Sequence, residues 1–261
     1  MFKKHAAFVF LCAVALAVPA LAQQAGNVAE LNIHTPKPGG TEKYEAARKK
    51  HMAWHKAQKD TWTWLTWEAV SGPDSGTYYT GSFGHAWKDF DGHEKFQKDD
   101  STDFEKGIGP TLARSFTSYY ARRADMSLTA PNTDPPSAYS LLTYYRIKFE
   151  GQNDFVEAVK KINEGIKKTN YAQPGPSAWY QLVNGGEGPM FILAGGRTNW
   201  ASFAPNDKTL DQMMEEAFGK EQGAAILASG RKAILSTRTE TVKNRPDLSY
   251  VPATEAKTAG R

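Results

Sequence analysis

The feature that most constrains this chain is an internal repeat covering nearly all of it after the first residues. Over one stretch a constant offset of 111 residues pairs Leu31 with Leu142, Lys37 with Lys148, Gly40 with Gly151 and Tyr44 with Phe155. Further on, Trp64 answers Trp179, Gly72 answers Gly185 and Trp87 answers Trp200. Each half closes on a similar tag, Arg123-Ala124-Asp125-Met126-Ser127 and then Arg245-Pro246-Asp247-Leu248-Ser249. Two degenerate copies must build the same elements twice in the same order, which leaves few architectures open.

The first copy reads as a strand from Val28 to Thr35, broken by Pro36, Pro38, Gly39 and Gly40, and a helix from Thr41 to Gln58 with Thr41 as N-cap. Strands follow at Thr61 to Val70 and Thr77 to Ala86, joined by the turn Ser71 to Gly76. A helical stretch from Trp87 to about Arg114, interrupted near Gly107 to Pro110, leads to a closing strand from Ser115 to Arg123. The second copy repeats the order: strand Ala138 to Phe149, helix Asn153 to Lys168, strands Ala178 to Val183 and Pro189 to Ala194, helix Asp207 to Ser229, strand Lys232 to Val242.

The strands carry adjacent aromatics, Tyr78-Tyr79, Tyr119-Tyr120 and Tyr144-Tyr145. Neighbouring strand residues point to opposite faces, so such pairs predict a sheet covered on both sides. The expected class is α+β: two ferredoxin-like βαββαβ units whose sheets face each other as an α/β barrel within one chain. The units are expected at 28–127 and 138–249, with a Pro-rich linker over 128–137 and a disordered tail over 250–261.

Ahead of the repeat, Lys3, Lys4 and His5 precede an uncharged apolar run from Ala6 to Val18 and the small-x-small pattern Pro19-Ala20-Leu21-Ala22. This reads as a signal peptide (residues 1–22) cut after Ala22, giving a periplasmic or secreted protein with no membrane span. The only cysteine, Cys12, falls inside the leader, so the mature chain has no disulfide, thiolate metal site or cysteine nucleophile. Without Lys3 and Lys4, 30 basic residues face 28 acidic ones, and no dense Lys/Arg run suggests nucleic acid as a partner.

Glu30-Leu31-Asn32-Ile33-His34, Lys37-Pro38-Gly39, a basic helix, and Gly84-His85-Ala86-Trp87 with Asp89 and Asp91 together resemble the NIPSNAP-like branch of the dimeric α/β barrel superfamily. The resemblance is best over the first unit. It implies a fold shared by cofactor-free monooxygenases, isomerases, haem-degrading enzymes, haem peroxidases, chlorite-splitting enzymes and ligand binders, without choosing among them. The Gly-x-x-Asp-Gly signature of dye-decolourising peroxidases is absent, since Lys88 stands where its leading glycine belongs.

One asymmetry between the copies points to a site. On the first helix Tyr44, Ala47, His51, Trp54, His55 and Gln58 share a side by the 3.6-residue period. At the same offset the second helix has Phe155, Ala158, Ile162, Gly165, Ile166 and Thr169, so two isoleucines stand where His51 and His55 do. Buried imidazoles need partners, because an unpaired buried polar group costs roughly 1 to 3 kcal/mol. The expectation is a pocket in the first unit formed by Tyr44, His51, Trp54, His55, His85, Trp87 and His34, holding a small apolar or aromatic ligand.

Three other readings stay open. His51 or His55 acts as general base in a monooxygenase- or isomerase-like enzyme; the pair holds haem or a divalent metal; or the histidines are satisfied core in a structural or partner-binding protein. The first expectation for cofactors is none, with haem or a metal on His51 and His55 as the alternative. The chain is expected as a monomer or a homodimer.

Overall fold

The computed structural model describes residues 26–129 and 136–253. The expected leader, residues 130–135 of the expected linker and most of the expected tail lie outside the described residues. Eight strands and five helices follow in chain order: β1 (Val28–Pro36), α1 (Thr41–Gln58), β2 (Leu65–Ser71), β3 (Tyr78–His85), α2 (Trp87–Gly107), β4 (Leu112–Arg122), β5 (Tyr139–Ile147), α3 (Gln152–Thr169), β6 (Ser177–Asn184), β7 (Met190–Arg197), α4 (Leu210–Phe218), α5 (Lys220–Ala233) and β8 (Ile234–Asn244). The strands form one closed antiparallel barrel in the order β1-β3-β2-β8-β5-β7-β6-β4. The barrel closes across the two halves through β2–β8 and β4–β6.

Side chains alternate across this sheet. On β1, Ala29, Leu31 and Ile33 enter apolar clusters with Tyr79, Tyr120, Tyr144 and Val242 inside the barrel. The other face of the sheet meets the helices, where Tyr44 of α1 packs on Tyr78, and Phe155 of α3 packs with Trp179 and Tyr145. Each adjacent tyrosine pair therefore splits, with Tyr79, Tyr120 and Tyr144 inside and Tyr78, Tyr119 and Tyr145 on the helix side.

The two closing tags make matched latches. Arg123 clamps Asp125 through Nε and Nη2 at 2.9 and 2.8 Å, and Arg245 clamps Asp247 in the same way at 3.0 and 3.0 Å. Ser127 Oγ donates to the Arg123 carbonyl, and Ser249 Oγ to that of Arg245. Each latch seats a fully buried residue in the opposite half: Met126 among Phe155 and Trp179, Leu248 among Tyr44 and Tyr78.

Several boundaries differ from expectation. Thr41 makes no capping hydrogen bond, and the α1 N-cap is Gly40. Residues 61–64 are not strand, because the Asp60 carboxylate binds the Trp62 backbone N–H and the Trp64 indole, leaving Trp64 only an isolated bridge to Tyr250. Leu112 to Arg114 belong to β4, and Lys232 to α5. The predicted last helix is two helices, broken at Gly219, whose φ of +82° is a conformation only glycine adopts cheaply. Tyr250, assigned to the tail, is part of the fold and donates its hydroxyl to the Asp60 carbonyl at 2.7 Å.

Candidate functional site

A cavity of about 200 Å³ lies between α1, α2 and the helix-side face of β1, β3 and β4. Strand alternation turns Glu30, Asn32 and His34 of β1 to this side. From α1 come Arg48, His51 and His55, spaced three and four residues apart on one helix face, and from α2 come Asp100 and Phe104. Ser101 and Ser115, both exposed, sit at its rim. The buried face of α1 is thus Tyr44, Arg48, His51, Met52 and His55. Arg48 and Met52 were not expected there, and Gln58 is exposed.

His51 and His55 are 4 % and 2 % exposed, and each ring is fixed by carboxylates. His51 Nδ1 donates to Asp103 Oδ2 at 2.7 Å, and His55 Nδ1 to Asp60 Oδ2 at 2.8 Å. The two Nε2 atoms lie 3.3 Å apart. Asp100 Oδ1 completes a triangle with them, 3.1 Å from His51 Nε2 and 3.3 Å from His55 Nε2. It receives no well-directed hydrogen bond despite its burial. These three atoms form the one group among the described residues arranged to hold a metal ion.

The helix end positions the deepest carboxylate. Lys59 adopts the left-handed conformation (φ 58°), its N–H closing on the His55 and Lys56 carbonyls, and Asp60 N then bonds the His55 carbonyl at 3.0 Å. That turn folds Asp60 back beneath the His55 ring, where Trp64 Nε1 also donates to its Oδ2 at 2.8 Å. Burial alone would lower the His55 pKa, but the Asp100 and Asp60 carboxylates beside the ring outweigh it and hold it above the usual value. Burial alone would raise Asp100, yet the two imidazoles hold it well below the usual carboxylate range.

Around this group the wall is polar. Arg48 is 3 % exposed, and its Nε and Nη2 reach the Leu248 carbonyl and Thr66 Oγ1 at 3.2 and 3.4 Å. Among the described residues no carboxylate is within ion-pair distance of it, and Asp100 of the same cavity wall acts on its charge only at longer range. Burial, aided by the Arg48 charge, pushes His34 down to about 3, and Glu30 is raised by burial. Only Trp64 and Phe104 contribute aromatic surface. The wall is thus mostly polar, where the sequence suggested an apolar or aromatic ligand.

The remaining residues singled out in the sequence stand outside the lining. Tyr44 is fully buried behind it, with its hydroxyl 3.2 Å from His34 Nδ1. Trp54 stacks on the outer side of His51 at 5.9 Å. His85 lies apart, 2.7 Å from Ser82 Oγ and stacked on Trp62 at 3.8 Å, and the other stacking partner of Trp62 is His93 at 4.0 Å. Trp87 opens α2 and packs on Phe90 and Tyr119.

The other half holds the apolar image of this arrangement. α3 begins and ends 111 residues after α1, and it too closes on a left-handed residue, Asn170. Ile162 and Ile166 pack on Met213 and Met214 of α4, where His51 and His55 meet Asp100 of α2. The same offset sets Glu30 against Leu141, His34 against Tyr145, Arg48 against Val159 and Asp60 against Tyr171. Those four pairings were readable in the sequence, and they mark Glu30, Arg48 and Asp60, which helix periodicity alone passed over.

No family model matches the chain, and no curated relative matches it. Solved structures of similar fold cover nearly all of it. A candidate monooxygenase from Lactobacillus acidophilus is 10 % identical, with a TM-score of 0.54 over 87 % of this chain and 97 % of its own. An anthrone oxidase-like protein is 15 % identical, with a TM-score of 0.51 over 86 % and 93 %. A mutant chlorite dismutase from Candidatus Nitrospira defluvii is 8 % identical, with a TM-score of 0.52 over 87 % and 95 %. These neighbours define the fold as that of the dimeric α/β barrels, here with all eight strands in one chain.

Proposed function

We propose that this is an exported α/β barrel of two ferredoxin-like units, derived by duplication, whose first unit binds a small anionic molecule and whose second is its filled, structural counterpart. The observation that carries the reading is Arg48, a buried guanidinium facing the cavity without a carboxylate partner where the other half has Val159. Burying an unbalanced charge is costly, so the arrangement is best accounted for by a ligand that supplies the opposite sign. A cavity of about 200 Å³ is below the roughly 300–1,000 Å³ of drug-sized pockets, which limits the ligand to a small carboxylate or oxyanion.

The leader and the short motifs shared with the NIPSNAP-like branch support export and that place in the superfamily. Export predicts a mature protein whose N-terminal sequence starts at Gln23; an intact leader on the protein outside the cytoplasm would refute the cleavage site. Binding is tested by thermal shift and titration with acetate, oxalate, bicarbonate, phosphate and sulfate. At 100 times its Kd a true ligand stabilises the fold by about 2.7 kcal/mol, and Arg48→Met should remove that effect. No shift with any of these anions, or an equal shift in the variant, would overturn the reading.

A further inference from the structure

We infer that His51 Nε2, His55 Nε2 and Asp100 Oδ1 form a binding site for one divalent first-row transition-metal ion, with an open coordination face on the cavity. The inference deepens the ligand-binding reading by naming what holds the ligand's near end, and it stands on geometry that Arg48 does not enter.

The tautomers are fixed first. Both Nδ1 atoms donate to carboxylates, so in the neutral rings both Nε2 atoms carry lone pairs, and these converge on Asp100 Oδ1. Three acceptors 3.1 to 3.3 Å apart repel one another unless a cation lies between them. The centre of that triangle is about 1.9 Å from each atom, so an ion with metal–ligand bonds of about 2.0–2.2 Å sits just off its plane. Two imidazoles and one carboxylate on one face, with the remaining positions free, is the donor set of borderline divalent ions. Asp103 and Asp60 are the outer carboxylates that orient metal-bound imidazoles and raise their basicity.

Charge agrees with this. Asp60, Asp100 and Asp103 place three negative charges around two neutral imidazoles, a local excess that a divalent ion offsets. All three ligands also line the cavity, so a water or small anion at the open position lies on the side where Arg48 stands. The competing account is a protonated imidazole shared between Asp60 and Asp100. It leaves Asp100 Oδ1 without a directed hydrogen bond, which a metal bond would replace.

The test is equilibrium dialysis of the untagged mature protein, stripped of metal, against Zn²⁺ and against Co²⁺, with metal content measured and the Co²⁺ visible spectrum recorded. The expected result is about one equivalent per chain and the absorption of Co²⁺ in a low-symmetry nitrogen–oxygen site. His51→Ile with His55→Ile, copying the other half, should abolish binding, and His85→Ala should leave it unchanged. Asp103→Asn, at a half-exposed position that folding tolerates, should weaken binding roughly 10- to 100-fold by freeing the His51 ring. Sub-stoichiometric metal in the wild type, or undiminished affinity in both the double variant and Asp103→Asn, would overturn the inference. Anion binding with no metal uptake would leave the ligand reading intact while this one fell, and metal binding with no anion response would do the reverse.

Discussion

At the scale of single residues, partners decide what each buried polar group is doing. Six histidines are spread along the chain, and the four on the helix side of the first half that the sequence marked divide by their contacts. His51 and His55 are held from both ends by carboxylates, His34 touches a tyrosine hydroxyl, and His85 stacks on Trp62. Burial pushes His85 down to about 4 and His34 down to about 3, so both are neutral in the fold where an unfolded histidine, with a pKa of about 6.5, takes up a proton. Between those values the unfolded chain binds more protons, so stability rises with pH and falls on acidification. Urea denaturation should show the midpoint dropping as pH falls from about 6.5 toward 4, and His85→Gln should flatten that slope. An unchanged slope in the variant would mean that His85 is not held neutral.

The same scale shows what periodicity can and cannot find. It identified His51 and His55, because two imidazoles on a face otherwise carrying Tyr44 and Trp54 stand out. It missed Arg48 because one long cation reads as solvated in a helix rich in lysine, and it missed Asp60 because nothing in a Lys-Asp dipeptide announces a left-handed turn. Comparing the two halves at the 111-residue offset finds both, since Val159 and Tyr171 stand opposite them.

At the scale of elements, the contrast lies between two helix seams on one scaffold. α3 meets α4 through Ile162, Ile166, Met213 and Met214, while α1 meets α2 through His51, His55, Asp100 and Asp103. Replacing one side of a buried polar seam strands the other side, whereas replacing both with packed apolar groups is often neutral or stabilising by about 1–4 kcal/mol. His51→Ile with His55→Ile should therefore destabilise the protein, and adding Asp100→Met should recover that loss, measured by urea unfolding at constant m-value. A triple variant no more stable than the double one would mean the seam is not interchangeable with its apolar image.

Element boundaries were legible where local rules act alone. α1 runs from Thr41 to Gln58 as its pattern predicts, because Gly40 and Lys59 bracket an uninterrupted periodic stretch. The failures come from interactions between distant residues or from one backbone angle. Trp62 and Trp64 have strand composition, but Asp60 takes their donors. The α4–α5 break depends on Gly219, which a pattern of apolar residues does not register. The tags beginning at Arg123 and Arg245 were visible as repeats, yet their role is tertiary, since Met126 and Leu248 each fill the core of the opposite half.

At the scale of the whole molecule, closing the barrel inside one chain changes what each half is free to do. Among the described residues every strand has a neighbour on both sides, so the barrel leaves no open sheet edge. The fold's two helix layers then differ in role: apolar packing of α3, α4 and α5 supports the scaffold, and the α1–α2 layer is free to carry polar groups. Difference density in crystals soaked with Zn²⁺ and a small carboxylate tests this division of roles. The expected result is a metal peak bonded to His51, His55 and Asp100, with carboxylate density reaching toward Arg48, and well-packed side chains with no added density around Ile162 and Ile166. A first-half cavity closed over by its own side chains, with neither metal nor anion bound, would contradict it.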